Sequence, residues 1–300
     1  SVMSVVMMSL DVVFNFFLIF PTRPVQLFGA EVTVPGMGLG VVGAAIGTVS
    51  AELVAASITM YILCFRSKEL SLRIDKGRFL PTWGVVKRAL HISLPMGLQQ
   101  TIMCSAYVMT TIIIAPLGTF AIAANSFGVI VESLCYMPGY GIADAATTLV
   151  GQSIGAGRHE LMKRFAWLSV GLGVTVMAVM GVVMYVGAPV AMAMMTPAEE
   201  VRRLGVEVLR IEAFAEPMFA AAIVSYGVFV GAAKTLVPSI MNLISIWGVR
   251  ISLAALLAPS MGLRGVWIAM CIELCFRGFI FLLKLKFWNI QTPCKHYGKD

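Results

Sequence analysis

Long apolar runs separated by short polar connections dominate the pattern of this chain. Most runs reach the roughly 20 residues that an α-helix needs to cross about 30 Å of hydrocarbon. Strict alternation of apolar and polar positions, typical of a transmembrane β-barrel, is absent. The pattern predicts an all-α integral membrane protein with about eight spanning helices. The predicted spans are residues 1–20, 38–65, 90–115, 120–154, 165–190, 204–233, 237–258 and 262–287.

Composition and charge support this interpretation. Hydrophobic residues make up 59% of the chain and charged residues 12%, against roughly a quarter charged in an ordinary soluble domain. The net charge of +7 is distributed unevenly, because fifteen basic residues fall in alternate connections and the C-terminal tail, and only four in the opposite connections. This asymmetry is the positive-inside pattern. It predicts that both termini are cytoplasmic and explains the basic charge without a nucleic-acid partner.

Carboxylates inside the apolar runs are the main candidates for chemistry. Asp11 and Asn15 lie one turn apart and share a face of the first predicted helix. Glu52, Glu132 and Glu216 also fall well inside predicted spans. An ionisable group in the membrane is costly and indicates a functional site by default. The alternative for each is a structural carboxyl group that forms a hydrogen bond with a neighbouring helix.

Prolines and amides add further candidates. Pro138 lies among glycines in the fourth run, and Pro217 follows Glu216 directly. Proline removes a helical hydrogen bond, so both positions predict helix bends. Gln99 and Gln100 bring amides into the third run, where they either contact a ligand or link helices by hydrogen bonds.

Enzymatic and metal-dependent functions are disfavoured. His91, His159 and His296 lie far apart in sequence and near run ends, and no nucleophile and base stand at helical spacing. Cys271 and Cys275 are one turn apart, but no histidine accompanies them, so packing explains them better than a metal site. The sequence predicts no enzymatic activity, no bound metal and no cofactor.

The second and eighth apolar runs begin with similar residues. Glycines and an isoleucine recur at an offset of 222 residues, as in transporters that are built from repeated halves. The matching pairs are Gly40 and Gly262, Gly43 and Gly265, and Ile46 and Ile268.

The run AATTLVGQSIGAG at residues 145–157 resembles the multidrug and toxic compound extrusion (MATE) family of cation-coupled efflux transporters. Further similar motifs spread over nearly the whole chain. They are GVVGAA at 40–45, LP at 94–95, APLG at 115–118, MPG at 137–139, GAAKT at 231–235, and Asn242, Trp247 and Arg250.

The resemblance implies twelve helices in two six-helix lobes. It places residues 1–65 as the last two helices of the N-terminal lobe, 66–89 as a basic cytoplasmic connector, 90–288 as the C-terminal lobe and 289–300 as a cytoplasmic tail. The first four helices of such a transporter are then expected to precede Ser1.

The resemblance also implies roles for individual residues. Asp11 and Asn15 occupy the positions of a family Asn–Asp pair in reversed order. Met103 and Phe219 stand where some members carry carboxylates, and Glu216 is close enough to Phe219 to substitute.

The implied function is an antiporter in a bacterial inner membrane that exports cationic, amphipathic small molecules. Alternating access between the two lobes couples this export to the entry of H⁺ or Na⁺. Two alternatives stay open: a flippase of the same broad superfamily that moves lipid-linked saccharides, and a truncated fragment that does not transport.

Overall fold

The computed structural model describes residues 2–27, 30–66 and 82–288. Most of the predicted connector at 66–89 and the whole predicted tail at 289–300 lie outside the described residues. The chain divides into two compact units, Ser1–Pro81 and Thr82–Asp300.

The first unit contains two helices joined by a β-hairpin. Helix α1 (Val2–Ile19) is followed by strands β1 (Pro21–Leu27) and β2 (Ala30–Met37) and by helix α2 (Gly40–Tyr61). The end of α2 continues as a wider π-helical turn, Ile62–Arg66. The two helices pack closely against each other within this unit.

The hairpin lies between the first two predicted spans, where the sequence predicted no regular structure. The strands are antiparallel, with Val25 opposite Val32 and Arg23 opposite Val34, and the register is irregular between Pro21 and Arg23. β-Branched residues at alternate positions favour an extended backbone. The connection therefore forms two strands. It is too polar to cross a membrane, so the described membrane-spanning elements are all helical.

The second unit is a bundle of helices. Its described elements are α3 (Trp83–Ile114), a 3₁₀ turn (Ala115–Leu117), α4 (Thr119–Gly155), α5 (His159–Met195), α6 (Glu199–Glu212), α7 (Glu216–Gly231), α8 (Leu236–Leu243), a π-helical stretch (Ile244–Ile251), α9 (Ser252–Met261) and α10 (Leu263–Lys286). The described residues 83–89 of the predicted connector form the first turns of α3.

Six of the described helical segments are long and apolar enough to span a membrane. Helices α6 and α7 meet at 59° and together make a seventh span if they are one broken helix. The described part of α1 is a shorter apolar helix, Met3–Ile19. The all-α membrane fold is thus confirmed, with a helix count close to the predicted eight.

Helix α7 is the centre of the second unit. Most of its side chains are buried, including Phe219, Val224 and Val228, and it packs against α4, α5 and α10. A helix that is apolar on every face belongs in the interior of a bundle. The side chains at one end of α7 therefore lie deep within the unit.

Small residues allow these helices to pack at short distance. A Cβ atom on Gly227 would lie 2.6 Å from the carbonyl oxygen of Ala143 on α4, and one on Gly231 would lie 2.4 Å from that of Thr147. The Thr147 hydroxyl donates a hydrogen bond to the Gly227 carbonyl at 2.8 Å. Part of the 145–157 motif is thus the α4 side of a seam with α7, as expected for small residues at membrane helix interfaces.

The two runs that begin with similar residues also make similar contacts with the preceding helix, each within its own unit. A Cβ atom on Gly43 would lie 2.4 Å from the carbonyl oxygen of Leu18 near the end of α1. One on Gly265 would lie 2.5 Å from that of Leu257 near the end of α9. In both cases the glycine lets a helix start against the end of the preceding one, and the β-hairpin occupies the longer connection in the first unit.

Candidate functional site

Two adjoining cavities lie among the helices of the second unit. The larger has a volume of about 230 Å³ and the smaller about 210 Å³. Both are lined by the same four side chains, so they share a wall. These are Met103, Tyr140, Phe219 and Arg277.

Aromatic rings form much of the wall of the larger cavity. Tyr136 packs edge-on against Tyr140, with ring centroids 5.6 Å apart, and against Phe219 at 5.7 Å. The buried indole of Trp267 donates a hydrogen bond to the side-chain oxygen of Asn125 at 3.1 Å. Rigid rings with a few fixed polar groups are typical of sites that hold an apolar or aromatic small molecule.

Three charged side chains line the larger cavity: Glu132 from α4, Arg250 from the π-helical stretch and Arg277 from α10. Glu132 is buried, with 7% of its surface exposed, and both guanidinium groups attract its carboxylate. The Arg277 guanidinium lies 5.4 Å from the centroid of Phe219, and that of Arg250 lies 6.0 Å from Tyr107. Both distances are in the range of cation–π contacts.

The two arginines differ in their partners. Arg277 forms a buried ion pair with Glu273, whose Oε1 lies 3.1 Å from Nε, and the Ser245 hydroxyl donates a hydrogen bond to the same Oε1 at 2.6 Å. Arg250 contacts the sulfur of Met270 and forms no ion pair with any side chain of the described ranges. The positive charge of Arg250 therefore faces the cavity, and the carboxylate of Glu132 attracts it without forming an ion pair with it.

Two further carboxylates lie in the core beside the break between α6 and α7. Glu212 ends α6, Glu216 begins α7, and each is only 1% exposed. Within the described part of the chain, none of their four carboxylate oxygens has a hydrogen-bond partner. Glu132 interacts electrostatically with both of them. Buried polar groups normally have partners, so the unpartnered oxygens of Glu212 and Glu216 mark both residues as candidates for a functional role.

The break itself follows from the sequence. Pro217 lies in the first turn of α7 and has no backbone N–H to donate to the carbonyl of Ala213. A Cβ atom on Gly181 of α5 would lie 2.8 Å from that carbonyl oxygen, so α5 packs directly against the break. Pro138, by contrast, lies inside α4, which is helical from Thr119 to Gly155.

The second unit brings together several residues that the sequence singled out. Glu132 lines the larger cavity, whereas Gln99 and Gln100 line the smaller one. The Gln99 side-chain oxygen accepts a hydrogen bond from Ser239 at 2.8 Å, which links α3 to α8. Glu216 is buried beside the break and lines neither cavity.

The remaining candidates belong to the first unit. Asp11 and Asn15 each have a buried side-chain oxygen without a hydrogen-bond partner among the described residues. A Cβ atom on Gly47 would lie 2.4 Å from the Asn15 oxygen, so α2 packs directly against Asn15. Glu52 is exposed on α2 and contributes to no described cavity.

Sequence reasoning missed Glu212 and the arginines as members of the site. Glu212 and Arg277 were not among the sequence candidates, and Arg250 was named only as part of a family motif. Their shared site depends on the packing of α4, α7 and α10, which periodicity does not reveal. In the described ranges, no three His, Cys, Asp or Glu side chains form a group suited to a metal ion.

The family model MatE matches residues 95–256, which is more than half of the chain. Curated relatives include a protein named "Probable multidrug resistance protein NorM" from Thermotoga maritima, 29% identical over 250 residues. The same name is carried by a relative from Bacillus thuringiensis, 26% identical over 286 residues. These alignments cover 82% and 95% of this chain and 53% and 61% of the relatives. The chain therefore spans between half and two thirds of the length of these two relatives.

Solved structures share the fold. A transporter of the MOP superfamily from Pyrococcus furiosus, whose title reports reverse polarity of its binding pocket, superimposes with a TM-score of 0.82 at 19% identity. A point mutant of the Vibrio cholerae MATE transporter VcmN gives 0.82 at 18% identity. Each match covers 95% of this chain and 61% of the solved one.

Proposed function

Because this chain belongs to the MatE family, we propose that it works as part of a secondary transporter that exports amphipathic small molecules in exchange for H⁺ or Na⁺. The observation that carries the proposal is the group of buried carboxylates beside an aromatic cavity in the second unit. Relatives that carry the name of multidrug resistance proteins support the substrate class. No cofactor is required, since the energy comes from an ion gradient.

The aromatic cavity is the proposed substrate site. Its rings offer apolar faces to a flat or hydrophobic molecule, and Glu132 offers a negative charge to a cationic group on that molecule. Gln99 and Gln100 extend the site into the smaller cavity with uncharged hydrogen-bonding groups. Together the two cavities are large enough for a small drug-like compound.

The proposed ion site consists of Glu132, Glu212 and Glu216. A buried carboxylate needs a proton, a cation or a donor to compensate its charge. When a coupling ion occupies this group, the carboxylates are neutralised and attract a cationic substrate less strongly. Competition for the same negative charge therefore makes binding of the ion and release of the substrate parts of one exchange.

A second ion site is proposed in the first unit at Asp11. Its unpartnered oxygen and the neighbouring Asn15 form the kind of carboxylate–amide pair that can hold a proton or a small cation. Glu52, which is exposed on α2, is a weaker candidate for the same role.

We propose that the break before Pro217 relays ion binding to helix packing. Glu212 and Glu216 lie on opposite sides of the 59° bend, so a change in their charge acts on both halves of the broken span. Pro138 is proposed as a second point at which α4 bends during transport. In this account α1 and α2 belong to one lobe, residues 90–288 form the other, and access to the site alternates between the two membrane faces. The chain lies in a bacterial inner membrane with both termini cytoplasmic.

Dye efflux in cells tests the proposed activity. We expect expression of the full gene that encodes this chain to lower retention of cationic dyes in a host that lacks its own efflux pumps. Collapse of the membrane ion gradients should restore retention. Dye retention that stays unchanged at confirmed expression in the membrane would refute the export proposal.

A lipid-linked saccharide flippase is the second candidate, and one observation favours it. Arg250 lines the cavity and has no ion pair within the described ranges, as expected if it binds the phosphate of a substrate. Arg250→Gln distinguishes the candidates. It should abolish flipping of a pyrophosphate-linked lipid, whereas export of a cationic dye should persist.

A further inference from the structure

A third cavity lies at the end of the bundle where α5 begins and α10 ends. It has a volume of about 90 Å³ and is far smaller than the substrate cavities. Its floor is apolar and consists of the buried side chains of Met162, Ala166 and Leu285. Its other lining residues are Lys163, Lys286, Trp167 and Trp288.

The charge around this cavity is positive. Lys163 comes from the first turns of α5 and Lys286 is the last residue of α10, so two lysine side chains line one small space. None of the described residues that line the cavity is acidic. Glu160, one turn before Lys163, forms no ion pair with it in the described ranges. Two lysines at one cavity without an acidic lining residue favour an anionic ligand.

Two tryptophans place the cavity at the membrane surface. Trp167 is 47% exposed on α5, and Trp288 follows α10 and lines the cavity. Trp288 also packs against Phe229 of α7, with ring centroids 5.0 Å apart, and lies 5.8 Å from the ammonium group of Lys234. Tryptophan is enriched where apolar lipid chains meet polar headgroups. Exposed apolar side chains beside the cavity, such as Leu168 and Phe287, offer a surface to acyl chains.

We infer that this cavity binds the headgroup phosphate of an anionic phospholipid. Lys163 and Lys286 contact the phosphate oxygens, and the tryptophan rings flank the glycerol region. The acyl chains run along the exposed apolar surface of α5. Basic pockets between membrane helices on the cytoplasmic side suit such headgroups, and the connections at this end carry the basic excess that the positive-inside rule assigns to the cytoplasm.

The position of the cavity connects the lipid to the proposed ion site. Through Phe229 and Trp288, a bound lipid holds the end of α7 that carries Gly231, whereas Glu216 lies at the other end of the same helix. A lipid that orders this end therefore stabilises the bundle around the proposed ion site. Lipid binding at this cavity does not depend on the proposed transport activity.

Native mass spectrometry of the purified full-length protein in detergent tests the inference. The protein is titrated with phosphatidylglycerol, with phosphatidylcholine and with inorganic phosphate. We expect one phosphatidylglycerol to bind more tightly than any phosphatidylcholine, and millimolar inorganic phosphate not to displace it. Because each lysine near a membrane surface contributes roughly a fivefold gain in affinity for anionic lipid, Lys163→Gln with Lys286→Gln should weaken binding about 25-fold.

A matched pair of variants controls for general loss of charge. Arg164 and Lys284 lie on the same helices at similar depth, are exposed and do not line the cavity. Arg164→Gln with Lys284→Gln removes the same charge and should leave the binding of the single tight lipid within about threefold of wild type. Equal weakening of lipid binding by both pairs of substitutions would contradict a specific site at the cavity and would indicate that a diffuse basic surface attracts the lipid. Unchanged binding in Lys163→Gln with Lys286→Gln, or displacement by inorganic phosphate, would overturn the inference.

Discussion

The close seam between α4 and α7 gives a stability prediction whose size follows from the structure. A Cβ atom added at Gly227 would lie 2.6 Å from the carbonyl oxygen of Ala143, whereas ordinary contact begins at 3.4 Å. Gly227→Ala therefore requires the helices to separate by about 0.8 Å. Overpacking of this kind costs typically 1–3 kcal/mol. Separation also weakens the hydrogen bond from Thr147 to the Gly227 carbonyl, and such interhelical bonds contribute about 0.6 kcal/mol on average.

Alanine favours the helix over glycine by up to about 1 kcal/mol, which offsets part of the loss. We expect a net destabilisation of about 1–2 kcal/mol. Reversible unfolding of the purified protein in mixed detergent micelles, followed by circular dichroism, measures it. Gly171→Ala is the matched control, because a Cβ atom at Gly171 of α5 meets no atom within 4 Å; this variant should be at least as stable as wild type. If the Gly227→Ala protein is as stable as the Gly171→Ala protein, the close packing of α4 against α7 at Gly227 is refuted.

Two further stability predictions concern the cavity wall. Glu273→Gln leaves Arg277 buried without its charge partner, and breaking a buried ion pair typically costs 3–5 kcal/mol; the same unfolding assay should show a loss of about 3 kcal/mol, and Glu273→Leu combined with Arg277→Met should recover most of it. Wild-type stability of the single variant would exclude a structural role for the pair. Trp267→Phe removes the indole that donates to Asn125 and leaves part of the wall unfilled, so it should cost about 1–3 kcal/mol, and an unaffected unfolding midpoint would contradict the packing described for this ring.

The helices were predictable from the sequence because hydrocarbon thickness sets a minimum length for an apolar run. The broken sixth span was partly predictable, since Pro217 has a fixed chemical effect on the carbonyl of Ala213. The hairpin at Pro21–Met37 was not predicted, although alternate β-branched residues such as Val32 and Val34 were visible. Its polar composition indicated only that it lies outside the membrane.

The site was less predictable than the fold. Depth along single helices selected Glu132 and Glu216, both of which are buried in the second unit. The same criterion selected Glu52, which is exposed on α2. Glu212 and Arg250 were not selected, because their importance depends on which residues of other helices they face. Depth in a helix identifies candidate charges, whereas only tertiary packing shows which of them share a site.

Ion-driven transport by carboxylate variants of the full-length protein tests the central proposal most directly. In proteoliposomes with an imposed H⁺ or Na⁺ gradient, we expect Glu132→Gln and Glu216→Gln each to abolish gradient-driven transport of a cationic dye while the protein remains folded. Glu207→Gln is the matched control, because this carboxylate pairs with Arg264 on a more exposed part of the same broken span. It should transport at the wild-type rate. Wild-type rates in both Glu132→Gln and Glu216→Gln would contradict the assignment of ion coupling to the buried carboxylates.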